Sequence, residues 1–431
     1  MNRRKFLVNG LLAGAGTTGL LGASAQAENA RSQSVSRFLA STNQIVNTDG
    51  VRLDTALYGL AQSALPADRM PVSGVVPTVT RHDWSAGSAI TPYMNRSPAE
   101  TRMLAGRLVP SSNYPYDYES GGSASYVTGQ YEGGHATCEW MMDGSQCEVA
   151  AVGRGGGYQV LVDGVAFGSY DRLPSDGNFF RIRIDFHGSR AIRRITLQAE
   201  AGFGFWFLTL GGNDTLWKSP RQLGPRCIVL GDSFTEGTGA ASGATAFPAV
   251  FGKAIGLDDT WASGSGGTGY ISDASGSGLT RYTFRQRVAS DVIAYKPQIV
   301  VVAGGINDGP YSSRPSTPAQ VQAEAILLYR QILAGLPTVR LYVCGPWQPP
   351  VTQNFVTDSI RAAIQAAVAA VPGVTFLDVS SYYTGTGHAG GETGMGNSDL
   401  YVGYDRVHPT AAGHLYLGSR LAADFAATQP F

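Results

Sequence analysis

The chain has 431 residues, 43% hydrophobic and 10% aromatic, with 56 glycines: the composition of a soluble globular protein long enough for two domains. Its 32 basic and 32 acidic residues balance, and no run of Lys or Arg occurs beyond the first few positions, so nucleic-acid binding has no electrostatic support. Six histidines and no Cys-x-x-Cys give no support to a metal site, and no cofactor is expected.

Residues 1–27 have a basic start, a weakly apolar glycine-rich middle and Ala25-Gln26-Ala27, a small-residue cleavage pattern. The run Arg3-Arg4-Lys5-Phe6-Leu7 resembles a twin-arginine signal. Asn9 and Thr17-Thr18 interrupt the apolar stretch, which falls short of the ~20 apolar residues that a membrane span needs. The expectation is export with cleavage, to the periplasm or beyond. Cleavage leaves 29 basic against 32 acidic residues, a formal charge of −3, and no later segment suited to spanning a bilayer. An oxidising compartment permits disulfides. Cys138 and Cys147 flank a Met-Met-Asp-Gly-Ser turn and read as a hairpin staple, while Cys227 and Cys344 read as buried thiols.

Residues 28–99 are mixed, with a helical pattern over 31–46 and Pro and Gly punctuating the rest. From 100 to 218 the pattern is β. YQVLVDGVAFGSY alternates around Asp163-Gly164, a strong hairpin signal. FFRIRIDFHG alternates over eight residues, as a half-buried strand does. RRITLQAEAGFGFWFLTLGG continues the pattern, and the spacing predicts a jelly-roll-like β-sandwich. SPRQLGP, 219–225, reads as a linker. From 226 to 431 strands at 227–230, 299–305, 340–346 and 374–379 alternate with helices at 246–256, 282–294, 318–335, 355–371 and 409–426. That alternation predicts a parallel sheet with helices on both faces.

Four stretches of this second half lie at strand ends or helix starts, and so gather at one edge of the sheet. The first, Gly231-Asp232-Ser233, taken alone reads as a helix start with Ser233 as its N-cap and Asp232 as a favourable charge on the dipole. The others are ASGSGGTGY (262–270), GGINDG (304–309) and YDRVHPTAAGH (404–414). Together they supply what acyl transfer needs. A serine hydroxyl is inert until a base takes its proton, and His408 is the candidate base. Asp405, three residues earlier on the same loop, can fix the tautomer and orientation of the imidazole. Donors for an oxyanion are the Ser233 N–H, a glycine N–H from the 264–267 loop and the Asn307 amide. His414 fits a face of the last helix and reads as structural.

Residues 226–431 resemble the SGNH (GDSL) hydrolase superfamily through Gly231-Asp232-Ser233, a loop glycine (Gly267, with Gly266 as the alternative), Gly305-Ile306-Asn307-Asp308, and Asp405-Arg406-Val407-His408 followed by Pro409. The resemblance implies a flavodoxin-like three-layer α/β/α domain and a metal-free Ser-His-Asp ester hydrolase. A β-sandwich placed before such a domain resembles the acetyl esterases of carbohydrate esterase family two, which implies an acetylated carbohydrate as substrate. Aromatics beside the motif loops (Tyr270, Trp347, Tyr401 and Tyr404) are candidates for stacking on sugars, with Asp232 a further candidate contact. The insert TGTGHAGGETGMGNSDLYVGY, 384–404, departs from the family pattern just before Asp405 and is expected to rim the active site. Two alternatives stay open, a short-chain arylesterase, lipase or thioesterase and a polysaccharide O-acetyltransferase, while the intact Ser233, Asp405 and His408 argue against a non-catalytic glycan-binding protein. The sequence does not separate hydrolysis from transfer, nor does it set the acyl group, the role of the β domain or the oligomeric state.

Overall fold

The computed structural model describes residues 71–428 except 72, 87–89, 91–92, 97–101, 106, 111–117, 122–134, 154, 201–202, 221–223, 258, 276–280, 310–313, 348, 350–356 and 392. The leader 1–27, the helical pattern at 31–46 and the middle of the linker fall outside the described residues.

Thirteen strands among the described residues form two antiparallel sheets. They are β1 (Thr78–Asp83), β2 (Tyr93–Arg96), β3 (Arg102–Ala105), β4 (Arg107–Pro110), β5 (Tyr118–Gly121), β6 (His135–Gly144), β7 (Gln146–Gly153), β8 (Gly157–Val162), β9 (Val165–Arg172), β10 (Phe179–Asp185), β11 (Ala191–Glu200), β12 (Phe203–Gly211) and β13 (Thr215–Lys218). One sheet runs β1-β10-β7-β12-β5-β4 with β2 also on β12, and the other runs β13-β6-β11-β8-β9 with β3 also on β6. Trp140, Phe186, Phe203 and Phe205 fill the space between them. The alternation in FFRIRID is realised in β10, whose every second side chain is buried. Asp163 and Gly164, both at positive φ, make the predicted hairpin turn between β8 and β9. β1 and β2, from the stretch left unassigned in the sequence, join this sandwich.

Cys138 and Cys147 are not a staple. Both are free and buried. The turn between them is a corner at which the chain leaves one sheet and enters the other. Cys138 therefore pairs with Leu197 of β11, and Cys147 with Ile184 of β10 and Leu210 of β12. Burial pushes the Cys138 thiol up to about 12 and the Cys147 thiol upward as well.

The second domain is a flavodoxin-like α/β/α unit. Its strands β14 (Cys227–Gly231), β15 (Thr260–Gly264), β16 (Ile299–Ala303), β17 (Arg340–Cys344) and β18 (Val374–Leu377) are parallel, in the order β15-β14-β16-β17-β18. Cys227 and Val229 face one core layer, and Ile228 and Leu230 the other. Such a two-sided strand must be apolar throughout. Helices α1 (Ser233–Glu236), α2 (Phe247–Ala254), α3 (Phe284–Asp291), α4 (Pro318–Gly335), α5 (Thr357–Ala369), α6 (Ser398–Tyr401) and α7 (Ala411–Ala427) complete it. α2 and α7 pack on one face of the sheet, and α3, α4 and α5 on the other. The chain reverses its direction of travel across the sheet between β14 and β16, so their carboxyl ends flank the crevice where open α/β sheets bind ligands.

β15 gives no strand signal in the sequence: TWASG sets one Thr and one Trp before three small residues and shows neither an apolar run nor a sustained alternation. It is buried throughout because α1 lies directly on it. A Cβ on Gly264 would come 2.0 Å from the Glu236 nitrogen. That atom is backbone and cannot swing away. Gly264→Ala should therefore destabilise the protein by roughly 1–3 kcal/mol, the usual cost of overpacking, and thermal unfolding measures it directly.

Candidate active site

Ser233 is the first residue of α1, at the carboxyl end of β14. The cap is Asp232 rather than Ser233: its carboxylate accepts the Phe234 N–H at 3.0 Å. Relieved of capping, the Ser233 hydroxyl meets His408, and Oγ lies 2.8 Å from Nε2. His408 Nδ1 lies 2.5 Å from Asp405 Oδ2. A carboxylate only accepts, so Nδ1 carries the proton and Nε2 is left to accept from the serine.

The Asp405 loop is built for this. Oδ1 accepts the Val407 and His408 backbone N–H groups at 3.0 and 2.9 Å, which leaves Oδ2 for the ring. Burial alone would raise the Asp405 pKa; hydrogen bonds from the His408 ring and from the Val407 and His408 amides outweigh it and hold the carboxyl below its ordinary value. Val402 bridges Pro409 at the base of the loop, and Thr410 caps α7. Ser233 is 8% exposed, so the hydroxyl is reachable but mostly shielded. Beneath it Phe234 lies 5.7 Å from the His408 ring.

Four consecutive carbonyls of the glycine loop are each held by a side chain. Thr268 Oγ1 donates to Ser265 O at 2.6 Å, Arg281 Nη1 donates to Gly266 O, Ser272 Oγ donates to Gly267 O at 2.7 Å, and Asn307 Nδ2 donates to Thr268 O at 3.0 Å. Asn307 spends one amide hydrogen this way and keeps the other. A Cβ on Gly266 would stand 3.4 Å from the Ser233 Cβ, so Gly266 abuts the nucleophile's own carbon. Gly267, next along, has φ +73° and turns the chain there. Asp308 holds the far end of the same loop. Its carboxylate accepts the N–H groups of Tyr270, Ile271 and Ser272 at 2.7–2.9 Å and ties the glycine loop to the end of β16.

The proposed substrate contacts divide. Tyr404 is 83% exposed, stands beside Asp405 and meets the His388 ring edge-on at 5.9 Å. Tyr270 is not a contact: it is 2% exposed, and its hydroxyl bonds Tyr329 at 2.8 Å within the core. Trp347 is not one either: fully buried, it packs on Phe234, Phe247 and Tyr382. Tyr401 stacks on Tyr416, and Asp232 is buried under α1. An aromatic next to a motif looks alike in sequence whether it faces the solvent or the core. His414 is structural as expected: Nδ1 accepts the Phe247 N–H, Nε2 donates to Thr238 O, and burial lowers its pKa to about 4. The parts the sequence did not signal are Arg281 and Ser272, whose roles depend on a loop path that no spacing encodes.

Residues 229–415 match the family of GDSL-like lipases and acylhydrolases. No curated protein matches the chain. Among solved structures it is similar to the salicylyl-acyltransferase SsfX3 from a tetracycline biosynthetic pathway (18% identity, TM-score 0.57, covering 79% of this chain and 98% of that one). It is similar also to a family two carbohydrate esterase from Clostridium thermocellum in complex with cellohexaose (18%, TM-score 0.53, 76% and 99%). A third is the acetyl xylan esterase Est2A from Butyrivibrio proteoclasticus (12%, TM-score 0.52, 82% and 99%). The shared feature is the two-domain fold.

Burial, with the Asp308 charge adding to it, pushes Asp232 up to about 7. The folded state then holds a proton that the unfolded chain releases near its ordinary pKa of ~3.9. The stability this group contributes is full below that value and is lost as pH rises through about 7. Asp232→Asn keeps an oxygen for the Phe234 cap and cannot ionise. Its stability relative to wild type should therefore improve as pH rises from 4 to 8, by at most ~1.4 kcal/mol per pH unit. Parallel melting curves across that range test this, and a constant difference would contradict it.

Proposed function

We propose that the protein is an exported serine ester hydrolase that removes O-acetyl groups from a carbohydrate, a reading supported by the match of residues 229–415 to the family of GDSL-like lipases and acylhydrolases. The observation that carries the ester chemistry is the hydrogen-bonded line Ser233–His408–Asp405. Ser233 Oγ attacks the acyl carbon while His408 Nε2 takes its proton. The tetrahedral oxyanion is met by the Ser233 N–H, the Gly267 N–H and the Asn307 amide. The intermediate collapses, and His408 returns the proton to the departing sugar hydroxyl. Water then attacks the acetyl-serine with His408 as base, acetate leaves, and Ser233 regains its proton.

The carbohydrate assignment rests on the sandwich-plus-catalytic architecture and on the exposed Tyr404 ring beside the triad. The polar, glycine-rich loops add to it. Each CH₂ of an acyl chain needs apolar wall to gain its ~0.8 kcal/mol of burial, and these loops offer little. Export rests on the sequence of residues 1–27. Acyl transfer is a second reading, favoured by the likeness to an acyltransferase. A sugar hydroxyl would then replace water in the second half-reaction. The ratio of free acetate to acetylated acceptor separates the two.

Ser233→Ala and His408→Ala should each lose ~10⁴–10⁶-fold in turnover with the fold intact. Asp405→Asn should lose less, because water or a carbonyl can partly orient the ring. Asn307→Ala should lower kcat roughly 10²–10³-fold with KM little changed, since its donor acts on charge present only in the transition state. A Ser233→Ala enzyme with more than about a tenth of wild-type turnover would point to another nucleophile.

On p-nitrophenyl esters, kcat/KM should fall from acetyl to butyryl to octanoyl, and acetylated xylan or glucomannan should release acetate. Faster cleavage of octanoyl esters with no acetate from any glycan would replace the carbohydrate assignment with a lipase-like one.

A further inference from the structure

We propose that Arg281 is a positioning residue for the oxyanion site, acting through the Gly266–Gly267 peptide; the proposal rests on the serine-esterase reading above. Arg281 lies 48 positions beyond Ser233, outside every motif, at the start of the segment leading into α3. Its Nη1 donates to Gly266 O. That carbonyl belongs to the same peptide unit as the Gly267 N–H assigned to the oxyanion. In a planar trans peptide, C=O and N–H point in opposite directions. A guanidinium fixed on the oxygen therefore sets where the N–H points. It also draws electron density toward the carbonyl and makes the N–H a stronger donor.

The neighbouring carbonyls show why this one is distinct. Those of Ser265, Gly267 and Thr268 are held by neutral groups: two hydroxyls and an amide. Only Gly266 O, among the four, is held by a cation, and charge-assisted bonds are about twice as strong as neutral ones. The site is also fitted around that cation. A Cβ at 266 would lie 2.9 Å from Arg281 Nη1, 2.6 Å from Glu236 Oε2 and 3.4 Å from Ser233 Cβ. The Arg281 and Glu236 side chains thus converge on a glycine that abuts the nucleophile's Cβ. Glu236 stands on α1 itself, so a side chain of the nucleophile's helix and the Arg281 guanidinium meet at this glycine of the oxyanion loop.

The test is steady-state kinetics of Arg281→Gln and Arg281→Lys on p-nitrophenyl acetate, with inhibition by an alkyl boronic acid that mimics the tetrahedral intermediate. Arg281→Gln should lose roughly ten- to a hundredfold in kcat, less than removal of an oxyanion donor itself, with KM within about twofold of wild type. Boronate affinity should fall by the same factor as kcat. Arg281→Lys keeps the charge but not the planar fork; it should lie between wild type and Gln on both measures. Added guanidinium ion should restore part of the lost turnover to Arg281→Ala. Unchanged kcat, or a fall in kcat with unchanged boronate affinity, overturns the proposal while Ser233→Ala stays inactive. An active Ser233→Ala instead overturns the esterase reading beneath it. If Arg281→Gln does not fold, the Lys variant decides through the same pair of measurements.

Discussion

Between the end of β15 and the helix that carries Ser233 there is no room for a side chain. A Cβ on Gly264 would run into the backbone of Glu236, and one on Gly266 into the side chains of Glu236 and Arg281 while resting against the Ser233 Cβ. This close approach governs the site. It lets the loop after β15 pass directly beside the nucleophile, so backbone amides rather than mobile side chains can meet a developing oxyanion. Such preorganised donors need no rearrangement at the moment of reaction, which is what makes them effective. Asp308, at the end of β16, then holds the far side of the same loop through three backbone N–H groups. The nucleophile strand and its two neighbours in the sheet are thus locked together across the crevice.

The general base reaches this crevice from the other end of the domain. Its loop is fixed by contacts that begin on the nucleophile's side: a Cβ on Gly239 would strike Pro409 O, and His414 spans Thr238 and the start of α2. The sandwich domain touches the same connection, where Glu200 Oε1 accepts the Gly243 N–H at 2.5 Å. The segment between α1 and α2 is therefore held from three sides, by the last helix, the His408 loop and the sandwich domain. The β domain buttresses the catalytic one at a segment that itself abuts the triad.

What could be read in the sequence follows from where information is local. β14, β16 and β17 are buried on both faces, so each appears as an apolar run, and the helices between them were placed within a few residues of their observed ends. The four motif blocks each sit at an element end, and the sheet order brings them to one edge. β15 is hidden because, after Trp261, its Ala262, Ser263 and Gly264 are small and buried, and leave no apolar run to read. The Cys138–Cys147 pair misled because a corner between sheets has the same sequence signs as a hairpin. Tyr270 and Trp347 misled for a related reason: burial of a ring depends on partners such as Tyr329, Phe234 and Tyr382, far away in the chain. Arg281 was invisible because its significance lies in which carbonyl it reaches.

The central claim is that Ser233 is a nucleophile activated by His408. The most direct measurement is covalent capture with a fluorophosphonate, followed by mass spectrometry of the digested protein. One adduct per chain is expected, on the peptide containing Ser233, abolished in Ser233→Ala and formed far more slowly in His408→Ala. An adduct on another residue, or unmodified Ser233 in a preparation whose esterase activity the reagent has eliminated, would contradict it.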